Sequence, residues 1–149
     1  MKKFNKGIYK PVNPQKYIGK QIIIYRSGWE RIAMREFDLN PSVIKWCSEE
    51  VVIPYYNSIK KKMSRYFPDF YAEVKNKEGK IEKLIIEIKP QKEIDPPKVG
   101  TRKKEATKLY EALTYVNNQE KWEAAEKYCK LNGLRFLVLS ENQIFKKVS

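Results

Sequence analysis

An α/β domain with a central mixed sheet flanked by helices is what this chain of 149 residues predicts. Three observations carry that expectation. Two strand-length runs, residues 65–74 and 84–89, alternate apolar and polar side chains on either side of an Asn76-Lys77-Glu78-Gly79 turn. Helical periodicity precedes them at residues 27–38 and follows them beyond Gly100. A last apolar run at 134–139 completes the order helix, three strands, helices, strand. The length suits one domain with its own core.

The elements follow in turn. Residues 1–24 read as a basic, irregular arm bearing Pro11 and Pro14, and residues 25–149 as the domain. Ser27 opens a helix whose buried face is Trp29, Ile32, Ala33 and Phe37, and Asn40-Pro41 stops it. Residues 43–46 read as a short turn, and 49–56 as the first strand, centred on Val51, Val52 and Ile53. Lys60, Lys61 and Lys62 form a basic connection into the strand that carries Asp69. The next strand ends at Lys89-Pro90, because proline has no N–H for the ladder. After a proline-bearing loop at 93–100, Thr101 is expected to cap a helix with Ala106, Leu109, Tyr110, Leu113 and Val116 on one face. A second helix, 119–132, buries Trp122, Ala125 and Tyr128, and Gly133 ends it.

Composition narrows the chemistry. A formal charge of +13 and a pI near 9.6 point to a polyanionic partner, although a lysine-rich solvated surface gives the same numbers. Histidine is absent, which removes imidazole bases, His-ligated zinc and histidine-containing triads. Cys47 and Cys129 are too few for a disulfide framework or a zinc site. The apolar runs are strand-length and the N-terminus lacks a signal's apolar stretch, so neither membrane nor secretion is expected. A reducing intracellular setting fits.

Folding the chain about Glu78 sets residue 69 opposite 87 and 67 opposite 89. Phe70, Ala72, Val74, Leu84, Ile86 and Ile88 then share an apolar face, while Asp69, Glu87 and Lys89 share the other. Like charges opposite each other across a ladder repel. Something positive belongs between them, either a divalent metal or Lys89 itself. Two carboxylates suit a hard cation such as magnesium, and the Ile88 carbonyl is a further donor. Glu30 fits two roles: the far end of a Ser27-Gly-Trp-Glu capping box, or an acid leaning toward the same pocket. Arg102, Lys103 and Lys104 fall in the expected first turn of a helix, where cations oppose the macrodipole unless they bind phosphate. They and Lys60, Lys61 and Lys62 are candidates for salt-sensitive contacts to a nucleic-acid backbone. Trp46, Tyr55, Tyr56 and Tyr66 serve equally as core or as stacking rings.

Pro68-Asp69 followed by Glu87-Ile88-Lys89 on the next strand resembles the PD-(D/E)XK nuclease superfamily, with its restriction-endonuclease-like fold. The blocks Tyr25-Arg-Ser-Gly-Trp-Glu30, Trp46-Cys-Ser-Glu49, Ile53-Pro-Tyr55, Arg65-Tyr-Phe-Pro-Asp-Phe70, Ile86-Glu-Ile-Lys-Pro90, Lys121-Trp-Glu-Ala-Ala125 and Gly133-Leu-Arg-Phe136 are similar to the head completion nucleases of T-even-type tailed phages. Related blocks occur in TnsA-type transposon endonucleases. That resemblance implies a Mg2+- (or Mn2+-) dependent deoxyribonuclease that acts on DNA at head completion, so that heads can join tails. It implies that Asp69 and Glu87 bind the metal, that Lys89 assists the attacking water, that Glu30 is an accessory acid and that Gln91 borders the pocket. Phage head or portal and neck proteins are the implied partners, and the host cytoplasm during assembly, or the virion head, is the implied location. A transposon or repair endonuclease, and a DNA-binding head protein that does not cut, are the alternatives.

Overall fold

The structure, a computed structural model, describes residues 6–20, 22–98, 100 and 102–144. In chain order its elements are β1 (Gly7–Tyr9), a 3-10 turn (Pro14–Lys16), β2 (Ile23–Tyr25), α1 (Gly28–Leu39), β3 (Val43–Ser48), β4 (Ile53–Asn57) and β5 (Lys62–Tyr66). Then come β6 (Phe70–Lys75), β7 (Ile81–Ile88), α2 (Gln91–Ile94), α3 (Glu105–Leu131), β8 (Arg135–Leu139) and α4 (Glu141–Ile144). The central sheet has the order β3-β6-β7-β8. Its first three strands are antiparallel and β8 runs parallel to β7, so the sheet is mixed, as expected.

The β6–β7 hairpin follows from its sequence. Asn76 Oδ1 accepts the N–H groups of Glu78 (2.9 Å) and Lys80 (3.0 Å), and Gly79 takes the left-handed φ of +80° that closes the turn. The register pairs Lys75 with Ile81 and Phe70 with Ile86, which extends to Asp69 opposite Glu87. Alternation then separates two cores. Phe70, Ala72, Leu84 and Ile86 pack under Ala33, Met34 and Phe37 of α1. Ile85 and Phe136 pack under Trp122, Ala125 and Cys129 of α3. Ser27 Oγ accepts the Glu30 N–H at 3.1 Å and starts α1.

Several boundaries differ from the sequence reading. Residues 43–46, expected as a turn, belong to β3, whose burial does not alternate because both Trp46 and Cys47 are covered. Glu49, at φ +56°, turns the chain out of the sheet. The expected strand 49–56 therefore contracts to β4, which pairs with β5 in a separate hairpin. Pro68 lies in the break between β5 and β6, having no N–H to continue a ladder. The two expected helices after Gly100 are one continuous α3. Its start at Glu105, with Lys104 as the cap, corrects the placement of Arg102, Lys103 and Lys104 in a first turn; Thr101 lies outside the described residues. The anticipated apolar face of its first half is not buried: Leu109, Tyr110, Leu113 and Val116 are exposed.

The segment expected as an irregular arm carries β1, which pairs with β2, so the expected boundary at residue 24 falls inside a ladder. Residues 1–5 lie outside the described part. Buried Asp38 holds this segment down. Its carboxylate accepts from the Tyr9 hydroxyl (2.7 Å), the Val12 N–H (2.7 Å) and the Asn13 N–H (2.9 Å). Lys16 Nζ donates to the carbonyls of Phe37, Asp38 and Asn40 at 2.9–3.1 Å, which satisfies the C-terminal end of α1. Burial alone would raise the Asp38 pKa; the donated bonds outweigh it and hold the carboxyl below its usual range. A lowered pKa stabilises the fold above the unfolded value and is lost as pH falls through the folded one. Asp38→Asn is therefore expected to cost about 2–4 kcal/mol near neutrality. In urea melts the gap to the parent should narrow as acid protonates Asp38.

Candidate active site

The site forms where β5, β6 and β7 meet below α3. Asp69 follows Pro68 in the break between β5 and β6. Its Oδ2 takes the Ile88 N–H at 2.8 Å, and its own carbonyl accepts the Glu49 N–H at 3.0 Å. Glu87 projects from β7 on the α3 side and is 6% exposed. The buried Tyr66 hydroxyl donates to its Oε1 at 2.7 Å, and Lys89 Nζ stands 3.8 Å from its Oε2. The structure thus brings Asp69, Glu87 and Lys89 together at one point.

Electrostatically this pair resists ionisation. Burial is the main cause at Asp69, the Glu87 charge adds to it, and the carboxyl is pushed up to about 8 despite the Ile88 bond. Glu87 is also raised by burial, with the Tyr66 bond and the Lys89 and Lys121 charges opposing. The donors are all oxygens, buried and mutually repulsive, and a hard divalent cation fits such a set. Among the described residues no third Asp, Glu or Cys joins them as a metal-holding group. The Ile88 carbonyl, at the end of β7, is the adjoining main-chain donor.

Glu30 approaches from the other layer, at the start of α1. It combines both expected roles in part: its N–H is capped by Ser27, and its carboxylate accepts the Arg26 N–H at 3.0 Å rather than that of Ser27. Burial first, and the neighbouring Glu49 charge, raise its pKa, and it acts electrostatically on Asp69. Glu49 itself is held by Arg26 through two contacts of 3.0 and 3.2 Å.

Other expected residues are engaged elsewhere. Gln91 donates through Nε2 to Asp95 at 3.1 Å, and its N–H goes to Glu141, so its side chain is tied to the end of α2. Lys103 is paired with Glu111 at 2.8 Å, and Arg102 and Lys104 precede α3, which removes the helix-terminus argument for phosphate binding there. Lys60 and Lys61 lie in the exposed β4–β5 turn, and Lys62 opens β5.

Two residues of the site escaped the sequence reading. Tyr66 looked like any core or stacking ring until its hydroxyl met Glu87. Lys121, on α3, lies with Nζ 5.8 Å over the Tyr66 ring. Burial and then the charge of Lys89 lower its pKa, while Glu87 raises it. The only sequence signal for Lys121 was its place in a block shared with the phage nucleases.

Comparison with known proteins matches residues 40–141 to the family model described as TnsA-like endonuclease N terminal. The chain is also 37% identical over 140 residues to the head completion nuclease of Enterobacteria phage T4, covering 91% of each sequence. The matched region spans β3 to the start of α4 and so contains Asp69, Glu87, Lys89 and Lys121.

Proposed function

This chain belongs to the TnsA-like endonuclease family, and from that premise we propose that it is a divalent-metal-dependent DNA nuclease acting at phage head completion. The observation that carries the proposal is the buried Asp69–Glu87 pair beside Lys89. Asp69, Glu87 and the Ile88 carbonyl would hold Mg2+ or Mn2+, and the bound ion would supply Lewis-acid polarisation of a phosphate and a more acidic water. Tyr66 fixes the Glu87 carboxylate through Oε1, while Oε2 faces Lys89 Nζ at 3.8 Å. Lys89 Nζ, on the same face as both acids, orients the attacking water and offsets charge on the phosphate as it is attacked in line. Lys121 supplies a second ammonium above Tyr66 for a non-bridging phosphate oxygen. Glu30 tunes the pocket's charge as an accessory acid. The +13 surface, with Lys60, Lys61 and Lys62 at a hairpin tip, draws in DNA without reading its sequence.

The T4 relative's name places that protein in head completion. The match over nearly the full length of both chains supports the same role here, with head or portal and neck proteins as partners in the host cytoplasm. Purified protein incubated with linear and supercoiled DNA should cut with magnesium or manganese and stop on adding EDTA. Binding without cutting under either metal would sink the nuclease reading and leave a DNA-binding head protein.

A further inference from the structure

The β4–β5 hairpin has two unlike faces. Ile53, Tyr55 and Tyr66 turn inward against α3, and the Tyr55 hydroxyl and Asn57 are pinned to Asn117 at 2.9 and 3.3 Å. The outer face carries the cross-strand pairs Pro54–Arg65 and Tyr56–Met63. Tyr56 is 56% exposed, Met63 62%, and Phe67, just past the strand, 47%. Outward faces of such hairpins are ordinarily polar. Here exposed apolar groups interleave with cations. The Arg65 guanidinium lies 5.7 Å from the Phe67 ring centre, and the three lysines from Lys60 to Lys62 form the tip.

Open rings set among cations suit single-stranded nucleic acid, whose bases stack on the rings while its phosphates meet the charges. Charge complementarity selects a polyanion over a second copy of this +13 chain. Position links the face to the chemistry. Phe67 precedes Asp69 by two residues, at most about 7 Å of chain. Tyr66, between Arg65 and Phe67, is bonded to Glu87, so the hairpin is fixed to the site and does not swing free of it.

We propose that this outer face is a stacking platform for the unpaired bases of a DNA substrate cut at the Asp69–Glu87 site. It makes DNA with single-stranded ends or frayed segments, rather than continuous duplex, the preferred substrate class. The proposal rests on the nuclease reading of the Asp69–Glu87 site.

The test compares the parent with Tyr56→Ala/Phe67→Ala and with the ring-preserving Tyr56→Phe/Phe67→Tyr. Anisotropy of a labelled oligonucleotide, single-stranded or as a blunt duplex, is read in EDTA, so that binding is measured without cutting. Cutting of overhang-bearing and blunt duplexes is read with magnesium. The parent should prefer the single strand, and the alanine pair should lower that preference by about tenfold or more. The ring-preserving pair should keep it, with unchanged melting temperatures in both. A parent without preference, or an alanine pair with the parental ratio, overturns the platform even if DNA is cut. A ratio that falls as expected in a protein that never cuts upholds the platform and overturns the nuclease reading instead.

Discussion

Asp69→Asn is expected to slow DNA cleavage by about a thousandfold or more, while leaving the metal-free protein more stable than its parent at pH 8. The two effects share one cause. Burial and the Glu87 charge raise the Asp69 pKa, and burial raises that of Glu87. Groups whose folded pKa is raised contribute stability that is fully present below the unfolded value, near 4, and is lost as pH rises through the folded one, toward about 8 for Asp69. The metal-free parent should therefore weaken steadily across that window. Magnesium bound by the ionised pair, as proposed, would oppose the loss, so its stabilisation should grow with pH. Asparagine keeps an oxygen for the Ile88 N–H but removes the charge. The variant should gain about 1–3 kcal/mol at pH 8, lose most of the pH slope, and lose the response to magnesium. Melting curves from pH 4 to 8, with EDTA or with magnesium, check all three. A variant that still cuts, or still responds to magnesium as the parent does, rules out Asp69 as a ligand.

The hairpin that sets this pair was legible because its signals are local. Asn76 and Gly79 specify the turn, and strict alternation in β6 and β7 fixes which side chains share a face. β3 was illegible for the opposite reason. Trp46 sits under α1 among Tyr17, Phe37 and Phe70, with ring centres 4.7–6.4 Å away, while Cys47 is buried as well. A strand covered on both faces does not alternate. The false break in α3 arose at Asn117 and Asn118, poor helix residues: Asn117 is retained by bonds from the hairpin, and Asn118 is buried. Arg102, Lys103 and Lys104 were misplaced because the charges there mimic a phosphate-binding turn, and the helix starts only at Glu105. Asp69, Glu87 and Lys89 come from adjacent strands and could be paired by register. Tyr66 and Lys121 enter from a second hairpin and from the far end of a crossover, and no sequence spacing connects them to Glu87.

Lys89→Ala should lower the cleavage rate by about 10²–10³-fold, the range for removing a positioned electrostatic stabiliser, with the fold intact. Lys121→Ala should cost about tenfold, since it removes one cation above the phosphate without touching the water. Rates alone would not separate Lys121 from a residue that merely packs on Tyr66; its pH response does. Burial and the Lys89 charge lower its pKa, so its ammonium loses its proton at lower pH than an ordinary lysine. If that charge holds phosphate, the parental rate falls as pH rises through the lowered pKa. Lys121→Ala should flatten this alkaline limb, and Lys121→Arg should restore activity and move the limb to higher pH, because a guanidinium keeps its charge. The two lysines also repel each other through the same pocket, so the double alanine variant should depart from the product of the single losses. An alkaline limb identical in all variants would reduce Lys121 to packing. A Lys89→Ala protein that cuts at the parental rate would show that the acids do not share their site with a catalytic lysine.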